Sequence, residues 1–305
     1  MEIALSNIIA SLEVIAFHGD ENTIVSEIVA LDNGVVTDAS ILWCSDKFKE
    51  KLRGISCGNV IVSEETYSWI LEWDDNKNPI NWIVVNNPRA AFSLVLSTYF
   101  YKADKFGQVA DSAKIHSSVK FDRNTVNIGE NVVVEEGVVI GDNVKIGHNS
   151  VILSDCVLGN NVKIGSNSTV GGSGFGYEVD ADGLYNLIPH IGNVVLKDNV
   201  EIGNGVAIDR AVLGSTLLME NVKVDNLVHI SHGVKVGKNT LIIANAMIAG
   251  SCDVGENVWI SPSVSVIQKV KIGDNSLIGV GSVVLKDVDE SVIVAGVPAK
   301  KIKDK

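Results

Sequence analysis

The chain has 305 residues, 46% hydrophobic and 20% charged, enough for two domains that each bury a core. Its net charge of −12 argues against a nucleic-acid partner, because phosphate neutralisation needs clustered Lys and Arg and the one basic run is Lys300, Lys301, Lys303 and Lys305. Cys44, Cys57, Cys156 and Cys252 form no C-x-x-C pair, which argues against zinc and disulfide frameworks and points to a reducing cytoplasm.

In chain order, residues 3–16 (IALSNIIASLEVIA) are apolar but carry Ser6, Asn7, Ser11 and Glu13 and lack a basic leader. They read as an amphipathic helix. No run reaches the roughly 20 apolar residues of a transmembrane helix. Up to residue 105, strand-like runs (NVIVS, NWIVVN) alternate with helical ones (DKFKEKL, PRAAFSLVLSTYF), which predicts a small α/β domain. Trp69, Trp73 and Trp82 belong to its core.

From residue 106 a repeat takes over. Every sixth residue from Ile128 to Val170 is Ile, Leu or Val, and so is every sixth residue from Leu218 to Val284, twelve in succession. Many are followed by Gly and then Asn, as in IGDNVKIGHN. A period of six fits neither a helix nor a hairpin meander. It fits a parallel β-helix in which each hexad is one flat side of a triangular coil, three hexads make an 18-residue turn, and Gly or Asn takes the corners. The expected fold is therefore mainly β, a β-helix over 106–288 between a small N-terminal α/β domain (1–105) and a C-terminal cap (289–305). The period breaks at 171–193, which reads as an inserted loop, and between Ile208 and Leu218, where the step is ten. Insertions in a solenoid project from one face and often build the site.

These features resemble the UDP-3-O-acylglucosamine N-acyltransferase family of hexapeptide acyltransferases. The resemblance rests on NNPRAAFSLVL, GFGY (174–177), PHIGNVVLKDNVEIGNGVAIDRA (189–211) and, most sharply, DNLVHISHG (225–233). It implies a left-handed β-helix and a homotrimer with sites between neighbouring helices. It also implies acyl transfer from a thioester to the amine of a nucleotide-linked amino sugar. No bound cofactor is implied; the acyl thioester of coenzyme A or acyl carrier protein is a cosubstrate.

The resemblance makes His232 the general base, since a neutral imidazole can take the proton as the amine attacks. Gly250, one coil further on, is a candidate oxyanion donor through its backbone N–H. Asp225, His229, Phe175 and Tyr177 are candidate substrate contacts, although Asp225 reads equally well as a turn-capping residue. Trp43 and Phe48 are candidates to stack on the nucleotide base. Asn245, Gln268 and Lys269 fall at the donor side, although an Asn at a corner is ordinarily structural. No metal site is expected, because a metal-binding β-helix module would need a third histidine facing His232 and no strong candidate is visible.

Three departures from the family pattern point to a changed donor or sugar nucleotide. The chain ends on VIVAGVPAKKIKDK, like coenzyme A-dependent sugar acetyltransferases. SPSVSVIQK (261–269) stands where a glycine-rich stretch with a second histidine is expected. LWCSDKF (42–48) has Ser45 in place of the nucleotide-reading Asn. The reading that follows is an N-acyltransferase of surface-polysaccharide synthesis, with the lipid A enzyme itself and a non-catalytic β-helix as rivals.

Overall fold

A computed structural model describes residues 2–32, 34–73, 79–102 and 105–305. The chain divides into two compact units, Met1–Asp104 and Lys105–Lys305.

The first unit is built on a five-stranded sheet, in the order Val14–His18, Ile80–Val85, Gly58–Val62, Ser40–Trp43, Glu27–Ile28. The Val14–His18 pair is antiparallel and the other pairings are parallel. Gly58–Val62 and Ile80–Val85 are buried along their whole length, which is why NVIVS and NWIVVN are unbroken apolar runs. Helix Glu64–Ile70 begins where the Ser63 hydroxyl accepts from the Thr66 amide. Helix Pro88–Val95 begins with Asn87 accepting from Ala90 and Pro in the first turn. DKFKEKL winds as a 3₁₀ helix, Asp46–Gly54.

The single helix expected over residues 3–16 is corrected. Ile3–Ala4 is a strand, Leu5–Ala10 a short helix, and Val14–His18 joins the sheet edge beside Ile80–Val85. Pairing with a buried strand outweighs the weak helical period of VIAFH.

The second unit is a β-helix of three flat sheets with eleven, nine and seven strands, parallel but for the terminal strand of the first. Strand partners lie 18 residues apart, as in Ile128↔Ile146, Val134↔Ile152 and Ile140↔Leu158. Every residue of both six-step series is at most 4% exposed. A second inward rank, two residues earlier in each hexad, is equally buried and was not read from the sequence: Val126, Val132 and Val138 begin it. Where that rank is polar, the hydroxyl bonds a corner carbonyl, as Ser150 does to Gly165 (2.8 Å), Ser168 to Gly203 (2.9 Å) and Thr240 to Gly255 (2.8 Å).

The corners need a left-handed residue every sixth position. Asn supplies most of them, for example Asn131, Asn143 and Asn149 at φ near 57°. Leu227 (φ 59°) and Lys269 (φ 64°) occupy the same kind of corner without Asn's tolerance for it. At the C-terminal end Val292–Ala295 extends the eleven-stranded sheet and Lys300–Asp304 covers its edge antiparallel.

Both breaks in the period fall at one corner. The loop after Thr169–Gly172 and the loop after Ala207–Asp209 each leave the nine-stranded sheet and return in the seven-stranded one, at Asn193–Leu196 and Ser215–Leu218. The first loop carries a hairpin, Tyr177–Val179 with Tyr185–Leu187. One coil further on, the same corner lies between His229–Ile230 and Lys235–Val236, and it holds His232. Among the described residues, no helix is long and apolar enough to cross a membrane.

Candidate active site

His232 sits in a nest made by glycines. A Cβ on Gly250 would lie 2.6 Å from His232 Nε2 and 2.7 Å from Cε1, so only a residue without a side chain lets the ring occupy this place. The 18-residue register delivers that glycine, as the Ser251 amide bonds the His232 carbonyl at 2.9 Å. On the other side Gly174, from the inserted loop, approaches closely enough that a Cβ there would lie 2.8 Å from His232 Cβ and 2.7 Å from His190 Nε2. Among the described residues, neither ring nitrogen of His232 has a protein hydrogen-bond partner, and the Gly250 amide donates to no protein acceptor.

Two residues at this corner were not assigned a role from the sequence. His190, from PHIGN, is 7% exposed and lies edge-on to His232, with ring centroids 5.1 Å apart. Asp209, from the IDR segment, places Oδ2 3.0 Å from His229 Nε2. The adjacent Arg210 ties down the inserted loop, its Nε donating to the Gly171 carbonyl (2.7 Å) and an Nη to the Ser154 carbonyl (3.0 Å). His190 lies in the first period-breaking loop and Asp209 ends the strand from which the second departs, so no repeat register predicted their neighbours.

The two histidines of DNLVHISHG are pushed in opposite directions. The hydrogen bond to Asp209 raises His229 above its ordinary 6.5, against the desolvation that opposes it. Burial lowers His232 below 6.5, the nearby His190 adds to the depression, and Asp209 partly offsets it. At neutral pH His232 is therefore the free imidazole and His229 the one held toward the charged form.

The remaining candidates divide by place. Phe175 is 84% exposed and Tyr177 43%, their rings 5.0 Å apart on the inserted loop. Gln268 and Lys269 lie exposed on the His232 corner two coils on, about 10 Å along the stack at strand spacing. Lys269 is also a structural corner, its amide donating to Gly250 O at 3.0 Å.

Asp225 and Asn245 occupy a different corner, between the eleven- and nine-stranded sheets. The Asp225 carboxylate accepts from the amides of Asn226 (2.7 Å) and Ala244 (3.2 Å), so within one chain it caps turns and does not orient His232. Asn245 holds a left-handed φ of 62° and donates to Ser263 Oγ at 3.2 Å.

In the first unit Trp43 and Phe48 line one cavity of about 310 Å³ with Ser45 and Phe92. Among the described residues, no three His, Cys, Asp or Glu side chains converge as a metal-ligand set. His190 does approach His232, but its Nδ1 is bonded to Ile188 O and His229 is turned to Asp209.

With this geometry, the known proteins that the chain is similar to can be placed. The bacterial transferase hexapeptide (six repeats) family matches residues 108–153, 137–172 and 251–286. A UDP-3-O-acylglucosamine N-acyltransferase of Campylobacter lari is 39% identical over 261 residues, covering 80% of this chain and 76% of that protein. A protein of the same name from Cytophaga hutchinsonii is 52% identical over 82 residues, 27% of this chain and 24% of the relative. A solved UDP-N-acetylglucosamine acyltransferase from Campylobacter jejuni superposes with a TM-score of 0.57 at 24% identity, covering 64% of this chain and 73% of that one. The fold is accordingly a left-handed parallel β-helix of hexapeptide repeats with a small N-terminal domain. The long alignment to the Campylobacter lari protein settles kinship as well as fold: the chain belongs to the UDP-3-O-acylglucosamine N-acyltransferase family.

Proposed function

We propose that the chain carries out the lipid A step, transferring an acyl group from a thioester to the amine of a UDP-linked 3-O-acylglucosamine, the activity that its relatives' names state. One observation carries the reading: an unpartnered, neutral imidazole, His232, packs against Gly250, whose amide has no protein acceptor among the described residues. The amine lone pair attacks the thioester carbonyl carbon, and the proton it sheds passes to His232. The Gly250 N–H holds the oxyanion. Collapse breaks the C–S bond, and the thiolate leaves as thiol with the proton returned from His232.

The first unit holds the nucleotide, and the Trp43–Phe48 cavity supports this with two aromatic walls for a base. A homotrimer is part of the proposal. The Asp225–Asn245 corner and the His232 corner bound the same nine-stranded face, whose outward rank carries the apolar Val133, Val151, Ala207, Met247 and Val283 among polar Lys114, Thr169, His229 and Ser265. A neighbouring copy packed on that face would bring one corner of each chain to the other's. Phe175 and Tyr177 would then meet substrate. Gln268 and Lys269 would meet the pantetheine arm shared by acyl carrier protein and coenzyme A, the work taking place in the cytoplasm.

A second reading keeps the chemistry and changes the substrates. SPSVSVIQK and Ser45 depart from the family pattern at the donor side and the nucleotide pocket, which favours a short acyl-coenzyme A donor and another amino sugar nucleotide of surface-polysaccharide synthesis. A thiol-release assay across UDP- and dTDP-amino sugars, each with long acyl-carrier-protein and short acyl-coenzyme A donors, separates the two. The expected result is turnover with the UDP-3-O-acylglucosamine and acyl carrier protein pair, lost in His232→Ala. Full activity in that variant would remove the mechanism, and turnover only with a short donor would favour the second reading.

A further inference from the structure

His190 is the one buried imidazole at the His232 corner, and the transfer mechanism leaves it without a task. Its Nδ1 lies 2.7 Å from the Ile188 carbonyl. A carbonyl oxygen only accepts, so Nδ1 carries the hydrogen and Nε2 of the neutral ring is left as a lone pair. That Nε2 is buried and has no hydrogen-bond partner. A buried acceptor without a donor is costly, and it marks a place where a donor is expected to arrive.

The nearest ring supplies one. An imidazole donating in line to another imidazole separates the two centroids by roughly 5 Å, an N–H···N distance plus two ring radii. His190 and His232 are 5.1 Å apart at an interplanar angle of 74°, near enough for that bond, although none joins the two rings as they stand and the His232 ring must turn to make it. The side of His232 against Gly250 is made by Nε2, Cε1 and Cδ2, which leaves Nδ1 as the ring nitrogen turned away from that glycine. Gly174 and Gly176 close over the His190 ring, where Cβ atoms would lie 2.7 Å from Nε2 and 3.3 Å from Cε1. The inserted loop thus fixes the ring in place.

We propose that His190 is the positioning residue of the base: its Nε2 accepts the Nδ1–H of His232, which sets the tautomer that aims the His232 Nε2 lone pair at the Gly250 side. The relay runs from the Ile188 carbonyl through His190 to His232. When the substrate amine gives its proton to His232 Nε2, both nitrogens of that imidazolium carry hydrogens, and His190 stabilises the Nδ1–H without taking it. No proton leaves the pair until the thiolate reclaims the one on Nε2. The charged and titratable groups around His232 in this arrangement are His190 on the inserted loop and Asp209, whose far side holds His229. The inference rests on the N-acyltransferase reading, and its test is chosen to stand apart from it.

His190→Ala and His190→Gln are compared with the unaltered protein in the thiol-release assay and by ¹⁵N–¹H NMR of the imidazoles. Removing the acceptor is expected to lower kcat by on the order of 100-fold, with KM for the sugar nucleotide little changed. The Gln side chain, whose amide oxygen accepts, restores most of kcat. Unchanged kcat in His190→Ala overturns the relay. A raised KM with kcat kept also overturns it and makes His190 a substrate contact. The NMR arm needs no turnover. At neutral pH both rings are expected as Nδ1–H tautomers, and an Nε2–H tautomer for either one refutes the relay. Should the unaltered protein transfer no acyl group, the proposed function falls while the tautomers still decide the role of His190.

Discussion

Gly250→Ala is the sharpest probe of the site, because it adds one carbon at a known place. That Cβ would lie 2.6 Å from His232 Nε2 and 2.7 Å from Cε1, against about 3.4 Å or more for an ordinary contact. The imidazole or the corner must therefore give by about 1 Å. The other side is closed by Gly174, which leaves the ring no free direction except out of the nest. The backbone is no obstacle, as Gly250 has no left-handed φ. Ala in place of Gly stabilises a chain by about 0.4–1 kcal/mol through the unfolded state, and overpacking costs about 1–3 kcal/mol. The expected net is a loss of at most about 2–3 kcal/mol, which leaves a cooperative fold measurable by thermal melting. A displacement of about 1 Å at a reacting group costs on the order of 100-fold in rate. The reading predicts a kcat lowered by about that factor in the thiol-release assay, with the melting transition retained. A kcat within about threefold of the parent would show that His232 Nε2 does not handle the proton on the Gly250 side.

Other outcomes follow from the same geometry. In the parent, the acid limb of kcat/KM is expected below pH 6.5, the side on which burial lowers His232, and Asp209→Asn should move it lower still because Asp209 partly raises that group; a limb above 6.5 contradicts this. His229, raised by Asp209, contributes stability that is present below its unfolded pKa and lost as pH rises through the higher folded value. Asp209→Asn should bring its NMR titration back toward 6.5, and no change would refute the pairing. Lys269→Gly relieves a left-handed corner at φ 64° worth about 1 kcal/mol and should raise the melting temperature, while raising KM for the acyl donor. An unchanged KM removes Lys269 from the donor site. Ile248→Ala, fully buried one coil from Ile230, should cost about 2–5 kcal/mol, read by melting and by faster amide exchange in the adjoining coils.

The scaffold was legible because a six-residue period leaves few choices. Leu218 to Val284 lie inward where the count puts them, and the same register placed Gly250 against His232 without any knowledge of side-chain contacts. The second inward rank escaped notice since Ser150, Ser168 and Thr240 interrupt its hydrophobicity, though their hydroxyls are satisfied by corner carbonyls. Residues 3–16 were misread for a different reason. Their local period is weak, and the partner that makes Val14–His18 a strand lies more than sixty residues on. His190 and Asp209 were invisible to the repeat since both sit where it fails, and only the path of two loops across one corner brings them to DNLVHISHG. Asp225, four residues before His229 in sequence, is carried by the same regular winding to another corner.

That division of corners also decides which histidine can be the base. A base must be unprotonated at working pH and have a lone pair free to meet a proton. His229 meets neither requirement well: Asp209 raises its pKa and takes up Nε2 at 3.0 Å. Were Asp209 instead bonded to His232, the carboxylate would favour the imidazolium and raise that group, as it raises His229, leaving less free imidazole to take the proton. Placing the acid on His229 and an imidazole, His190, beside His232 avoids this. The carboxylate reaches His232 only through space, where it partly offsets the burial that keeps the ring neutral. An imidazole can fix the direction of a base without the negative charge of a carboxylate, and a buried corner closed by glycines favours such a partner.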